Sequence, residues 1–291
     1  VTVSEYVDRL VELCMEENTM VVSFGDMLRV KGSVMSLSDA KSMGGNVRMV
    51  YSPFQALELA QTMKGWKIVF AAVGFETTIP VYALLISEAV EKGIDNIRLL
   101  TSLKTMPPVI DYVCRENTVI DGFIAPGHVS VITGSGIFRE LAEKYSIPFV
   151  VAGFDGENIL SAIYTLVRNE GTSKVINLYP SAVSEEGNFQ AQQIIDKYFT
   201  VCDTAWRGIG IIKNSGLRLR DEYSAFDAGS EGLYSDKNKN SRCRCAEVLL
   251  GKINPNECGL YGSGCVPDMP QGACMVSVEG SCYQYYINKR Y

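Results

Sequence analysis

Short apolar runs alternate with longer amphipathic ones from Met20 to Val175. The short runs are Met20–Ser23, Val47–Tyr51, Lys67–Val73, Ile97–Thr101, Gly122–Ala125, Pro148–Ala152 and Lys174–Leu178. They are rich in Val, Ile and Phe without strict alternation, the pattern of parallel strands buried on both faces. Between them Pro53–Met63, Pro80–Lys92, Pro107–Asn117, Ile137–Tyr145 and Glu157–Arg168 carry helical spacing. Several begin at proline, which a first helical turn tolerates because its N–H has no intrahelical partner to lose. Strand alternating with helix predicts an α/β fold built on parallel sheets. Val183–Phe199 predicts a loop and then a helix. Beyond Trp206 the periodicity fades, and the Gly-, Ser-, Lys- and Asn-rich stretch Asp227–Asn240 predicts an exposed connection. The expected division is a first α/β unit over 1–66, a second over 67–200, and a linker with a cysteine-rich end over 201–291.

In parallel sheets ligands gather at the carboxyl ends of strands. Here those ends are polar or glycine-rich: Ser23-Phe24-Gly25-Asp26, Tyr51-Ser52-Pro53, Gly74-Phe75-Glu76-Thr77-Thr78, Pro126-Gly127-His128-Val129-Ser130 and Gly153-Phe154-Asp155-Gly156. Each alone is ordinary turn chemistry; together on one edge they would form a polar rim able to bind a ligand.

Composition narrows the class. The 291 residues are 47% hydrophobic and 21% charged, as in an ordinary globular protein. A net charge of −6 argues against non-specific nucleic-acid binding, which needs Lys and Arg on phosphates. No apolar run reaches the roughly 18–20 residues of a membrane-spanning helix. Val1–Leu13 lacks the basic and apolar regions of a signal peptide, so a cytoplasmic protein is expected. The chain does not begin with Met, and the expectation is that it starts inside a longer protein.

Cysteine changes the picture most. Of nine, Cys14, Cys114 and Cys202 are scattered and read as core thiols on helices, whereas Cys243, Cys245, Cys258, Cys265, Cys274 and Cys282 crowd the end. Zinc knuckles place two to four residues between two cysteines, and this tail has no such pair. Four thiolates from separate turns suit a [4Fe–4S] cluster. Gly259, Gly262, Gly264, Gly272 and Gly280 would let the backbone wrap closely. Spacing alone leaves a cluster, zinc and reduced structural thiols all open.

His128 is the only histidine, so a multi-histidine metal site is excluded. Its readings are a hydrogen-bonded imidazole holding its loop, or a ligand-facing group at a strand end. Glu76 either complements a helix dipole or acts as a general acid or base. Gly208-Ile209-Gly210-Ile211-Ile212-Lys213 lacks the third glycine of a dinucleotide fingerprint, and no phosphate-binding P-loop is present.

Taken in order, several segments resemble the HypD family of hydrogenase-maturation proteins. They are Phe24-Gly25-Asp26-Met27-Leu28-Arg29-Val30, Gly74-Phe75-Glu76-Thr77-Thr78, Pro126-Gly127-His128-Val129-Ser130, Trp206-Arg207-Gly208, Cys258-Gly259-Leu260-Tyr261-Gly262 and Glu279-Gly280-Ser281-Cys282. The resemblance implies two parallel-sheet α/β domains facing a cleft, followed by an iron–sulfur segment. It implies a scaffold with redox activity that assembles the Fe(CN)2CO unit of [NiFe]-hydrogenases with a small HypC-like partner, receiving cyanide from a HypE-like donor. The family's [4Fe–4S] ligands fall on Cys245, Cys258, Cys265 and Cys282, leaving Cys243 and Cys274 as extra thiols. Glu76, Thr77, Thr78, His128 and Ser130 fall in the family's cleft loops. The family's N-terminal cysteine–histidine and Gly-Pro-Gly-Cys-Pro-Val-Cys motifs, which carry its iron, have no counterpart here. Val1-Thr2 resembles the residues that follow them, so the first segment, with the iron-binding thiols, is expected to be missing.

Overall fold

The alternation of strand and helix closes into two sheets in the computed structural model, which describes residues 2–116, 119–236, 240 and 242–288. The larger sheet holds β1 (Thr19–Ser23), β2 (Val47–Met49), β3 (Lys67–Gly74), β4 (Ile97–Lys104), β8 (Phe199–Trp206) and β9 (Gly210–Leu219) in the order β2-β1-β3-β4-β9-β8. Its first four strands are parallel, as their unbroken apolar runs predict, and the β8–β9 hairpin adds antiparallel to β4. The smaller sheet is parallel, with β5 (Phe123–Pro126), β6 (Phe149–Ala152) and β7 (Val175–Asn177) in that order.

Helices cover the large sheet on both faces. On one, α3 (Pro53–Thr62) and α4 (Ile79–Glu91) bury Ala56, Leu57, Tyr82, Leu85 and Ile86 against Ile68, Phe70 and Leu99. On the other, α1 (Ser4–Met15) buries Tyr6, Val7, Leu10 and Leu13 against Val21, Val69, Ala71 and Leu100, with α2 (Leu37–Ser42) at its side. Each large apolar side chain so buried contributes roughly 1.5–3 kcal/mol. The starts are fixed locally. Ser36 and Asp39 form a capping box on α2, and the Ser52 hydroxyl accepts from Phe54 N–H with Pro53 in the first turn of α3.

The small sheet packs with α5 (Met106–Glu116), α6 (Gly127–Thr133), α7 (Arg139–Tyr145) and α8 (Gly156–Arg168); Ile110, Phe138, Leu141 and Phe149 form its main core. Asp155 caps α8, and Asn188 caps α9 (Phe189–Tyr198), which leads back to the large sheet. The tail folds into α10 (Cys245–Leu249), α11 (Ala273–Val276) and α12 (Ser281–Asn288).

The structure differs from the sequence reading in three places. Strands β3 and β4 pair in the sheet of β1, so hydrogen bonding runs through the expected boundary at residue 66 and the second expected unit is shared between two sheets. A buried apolar run reports its burial but not which sheet it joins. Residues 199–219 form a hairpin where no strands were expected, and Cys202, read as a helical core thiol, is half-buried on β8; Cys14 and Cys114 are buried in cores as expected. The connection after β9 is anchored rather than loose. Ala228 N–H donates to Leu99 O, Thr101 N–H to Ser230 Oγ, and Ser235 and Glu5 exchange two hydrogen bonds. Its Lys237–Lys239, like Asn117 at the expected end of α5 and Val1, lies outside the described residues.

Candidate functional site

The tail builds its site from short turns. Arg244, one residue before α10, makes two hydrogen bonds to Glu247, at 2.8 and 2.6 Å, which steadies the first turn carrying Cys245. Asn254 and Glu257 form a second capping box just before Cys258, with Pro255 between them. A turn from Leu260 to Cys265 is closed by the Cys265 N–H to Leu260 O bond of 2.7 Å. Helices α11 and α12 supply Cys274 and Cys282.

These turns point six thiols at one place. Cys243, Cys245, Cys258, Cys265, Cys274 and Cys282 line a single cavity of about 10 Å³, walled by Val248, Leu260 and Met275. All six are free thiols, and all but the half-buried Cys243 are buried. Gly272 allows the convergence: a Cβ there would lie 2.7 Å from both Cys243 Sγ and Cys245 Cβ. Tyr261 closes one side, its ring 5.8 Å from Tyr285 and 6.2 Å from Tyr286.

The sulfurs are not equivalent. Cys245 Sγ accepts from Cys274 N–H at 3.3 Å, and Cys265 Sγ accepts from Gln271 N–H at 3.3 Å. The Cys274 thiol donates to Cys282 Sγ at 2.9 Å. Hydrogen bonds from Cys243 and Cys274 hold the Cys245 thiol well below its ordinary value, and the bond from Cys274 lowers Cys282. Cys243 and Cys274, the donors, are pushed up by the same bonds. The site therefore separates Cys245 and Cys282, which accept and are lowered, from Cys243 and Cys274, which donate and are raised.

The donor set fits an iron–sulfur cluster: soft thiolates from separate turns, in an apolar wall, with backbone N–H groups on two of them. Among the described residues no three His, Cys, Asp or Glu side chains are arranged to hold a single metal ion. The structure brings together all four cysteines that the resemblance selects, and it adds Cys243 and Cys274, which the resemblance leaves out.

The cleft-loop residues divide between the sheets. Glu76 follows β3 and is only 5% exposed; its Oε1 accepts from Met106 N–H at 2.6 Å, and Oε2 has no partner among the described residues. Burial raises its pKa, opposed in part by the Met106 bond. Thr77 is exposed, and the half-buried Thr78 packs over Gly74, whose φ of +146° and lack of Cβ permit that approach. His128, at the start of α6 beyond β5, is exposed with its ring 5.1 Å from Phe154, and among the described residues it makes no hydrogen bond that would hold its loop. Ser130 is fully buried, its hydroxyl donating to Pro126 O one helical turn back. Among the described residues no hydrogen bond or ring contact joins the Glu76 loop to the His128 loop.

Sequence reasoning passed over Lys104. It is 2% exposed at the end of β4, 5.9 Å from the ring centre of Trp206, whose ring in turn meets Phe75 beside Glu76. The only available signal was a lysine closing an otherwise apolar strand.

Comparison with known proteins places this geometry in context. The HypD family, described as "Hydrogenase formation hypA family", matches residues 1–289. A putative hydrogenase expression/formation protein of Methanocaldococcus jannaschii is 39% identical over 294 residues, covering 100% of this chain and 82% of its own length. The hydrogenase maturation factor HypD of Rhodobacter capsulatus is 39% identical over 290 residues (96% of this chain and 77% of its own), and that of Escherichia coli strain K12 is 38% identical over 286 (96% and 77%). Among the described residues no helix is long and apolar enough to cross a membrane.

Proposed function

The chain belongs to the HypD family of hydrogenase formation proteins, and from that membership we propose that it is a cytoplasmic maturation scaffold whose C-terminal thiols hold a [4Fe–4S] cluster. Its cargo is the Fe(CN)2CO unit, assembled together with a HypC-like partner and supplied with cyanide by a HypE-like donor. When bound, the cluster supplies electrons to that chemistry.

The observation that carries the reading is the convergence of six thiols on one apolar cavity. Cys245, Cys258, Cys265 and Cys282 would hold the cluster. Backbone N–H groups on Cys245 and Cys265 favour negative sulfur, and hydrogen bonds to cluster sulfurs are among the features that set a cluster's potential. The apolar wall of Val248, Leu260 and Met275 excludes water from the same sulfurs. Cys243 and Cys245, with one residue between them, both reach the cavity, so the first corner is the position an experiment has to assign. The cleft residues Glu76, Thr77, Thr78, His128 and Ser130 take different parts: Glu76 accepts from Met106 N–H at the start of α5, His128 and Thr77 face solvent, and Thr78 and Ser130 shape their loops.

Anaerobic purification with iron, sulfide and zinc analysis tests the proposal. The expected content is about four irons and four sulfides per chain with visible absorption, lost in Cys258→Ala. Comparing Cys243→Ala with Cys245→Ala identifies the first ligand. One zinc and no colour would sink the redox reading, and failure to co-purify with a HypC-like partner would sink the scaffold reading.

A further inference from the structure

A second cavity, of about 130 Å³, opens where β4 and the β8–β9 hairpin meet the segment after β9. Behind it lies the Lys104 ammonium. Among the described residues Lys104 has no carboxylate partner; its Nζ donates to Ser102 Oγ at 3.2 Å and to Thr204 Oγ1 at 2.9 Å, and sits 5.9 Å from the Trp206 ring centre. A buried charge without a counter-ion is costly, and burial pushes this lysine down to about 8.

The contact with Thr204 depends on two local irregularities. A register shift between Cys202 and Thr204 breaks the alternation of β8. Opposite it, β9 carries Gly216, where a Cβ would stand 2.8 Å from the Thr204 side chain. Together they let Thr204 lean across β9 and meet a lysine two strands away.

Ser102 and Thr204 both line the cavity. Each hydroxyl oxygen accepts from Lys104, and among the described residues neither hydroxyl donates to a protein acceptor. A hydroxyl that accepts from an ammonium is polarised as a donor, and its hydrogen turns away from the ammonium. Two polarised donors therefore share one wall, backed by a positive charge. Counted with Lys104, the charges around the cavity balance, two of each sign. Asp203, Glu231 and Arg218 also line the cavity; Asp203 Oδ1 accepts from Asn214 N–H at 2.9 Å, and Arg218 is bonded to Asp221 at 2.7 Å. A dianion such as phosphate would meet both carboxylates, whereas a ligand carrying one charge of each sign would match the wall.

We propose that this cavity binds a small zwitterion, a free α-amino acid with a short side chain. Its carboxylate is received by Ser102 and Thr204 with Lys104 behind them, and its ammonium by Asp203 and Glu231. The volume lies below the roughly 300–1,000 Å³ of pockets for drug-sized ligands, which restricts the occupant to a few heavy atoms. The site is separate from the thiol cavity and stands whether or not that cavity holds a cluster.

The test is a titration of the full, anaerobically purified chain with glycine, alanine, acetate and inorganic phosphate. The readout is Trp206 fluorescence in a Trp66→Phe background, since the chain has two tryptophans. Alanine should give a saturable change. Lys104→Met and Thr204→Val should each weaken it by about tenfold to a hundredfold, the range for losing one charge-assisted hydrogen bond. Acetate and phosphate should bind about tenfold more weakly than alanine or less. No saturable change with either amino acid overturns the proposal, as does unchanged binding in Thr204→Val, which keeps the lysine and decides the matter if Lys104→Met does not fold. Phosphate or acetate binding as tightly as alanine would show a simple anion site and overturn the zwitterion.

Discussion

Replacing Lys104 by Met should remove a pH dependence of stability that its burial builds in. The fall from an ordinary 10.5 to about 8 corresponds to about 3 kcal/mol of disfavour for the charged form in the folded state. Below about pH 8 folded and unfolded chains both hold the proton, so the full penalty is present. Between about 8 and 10.5 the unfolded chain still holds a proton that the folded chain has released, so stability rises with pH across that window. Met has nearly the same shape and no charge, but the Ser102 and Thr204 hydroxyls lose their donor, a loss of about 1.5–3 kcal/mol for each bond from a charged group that offsets the relief of burial at neutral pH. The stability of the variant relative to its parent should therefore fall by about 2–3 kcal/mol between pH 7 and pH 10, whatever the offset at pH 7. Urea unfolding at both pH values, with the variant and its parent compared in a Cys202→Ser background, isolates the lysine from the neighbouring thiol. Arg218, Asp203 and Glu231 face the same cavity and are present in both chains, so their contributions largely cancel. Parallel curves for parent and variant from pH 7 to 10 would refute the reasoning.

Gly272→Ala should lower iron content sharply while leaving far-UV circular dichroism of the α/β body unchanged, because its Cβ would meet Cys243 Sγ and Cys245 Cβ at 2.7 Å; wild-type iron binding in this variant would contradict the close approach. Glu76→Gln keeps an acceptor for Met106 N–H and removes a buried acid whose folded pKa is raised. The wild type should therefore lose stability relative to this variant as pH rises above about 4.5, and a pH-independent difference in unfolding midpoint would count against it. Ser130→Ala should cost no more than about 1 kcal/mol and leave maturation activity in place, since its hydroxyl only bonds back to Pro126 O; abolished activity in a folded variant would give Ser130 a chemical role.

The parallel strands were legible because their apolar runs are buried on both faces and their helices begin at proline or a capping side chain. Phe70 and Val69, adjacent in β3, belong to opposite cores, which is why that run does not alternate. The hairpin was not legible for equally local reasons. Val201 and Ile211 are 58% and 55% exposed, the shift at Cys202 and Thr204 interrupts period two, and Asn214 and Gly216 read as loop residues. In the site, cysteine count and spacing pointed to the tail, but spacing does not say which thiols meet. That depends on Gly272 and on turns whose closure becomes visible only in three dimensions.

The hairpin also explains why the chemically distinctive places lie where they do. After β4 the chain leaves the large sheet, builds the small one, and returns through α9 to add β8 and β9. Thr204 on β8 meets Lys104, and Trp206, two residues on, meets both Lys104 and Phe75 beside Glu76. At the turn that follows, Gly208 comes so near the thiol cavity that a Cβ there would touch Cys245 Sγ at 3.8 Å. One segment of β8 and its turn thus borders the buried lysine, the loop of the buried glutamate and the thiols. A change in the thiol cavity that moved this turn would be transmitted to Trp206 by a short, hydrogen-bonded stretch, fixed by the Trp206 Nε1–H to Ser215 Oγ bond of 2.8 Å. Trp206 fluorescence should therefore respond to metal loading of the thiols as well as to ligands at Lys104. Loss of the first response in Gly208→Val, with iron content retained, would show that the turn carries it.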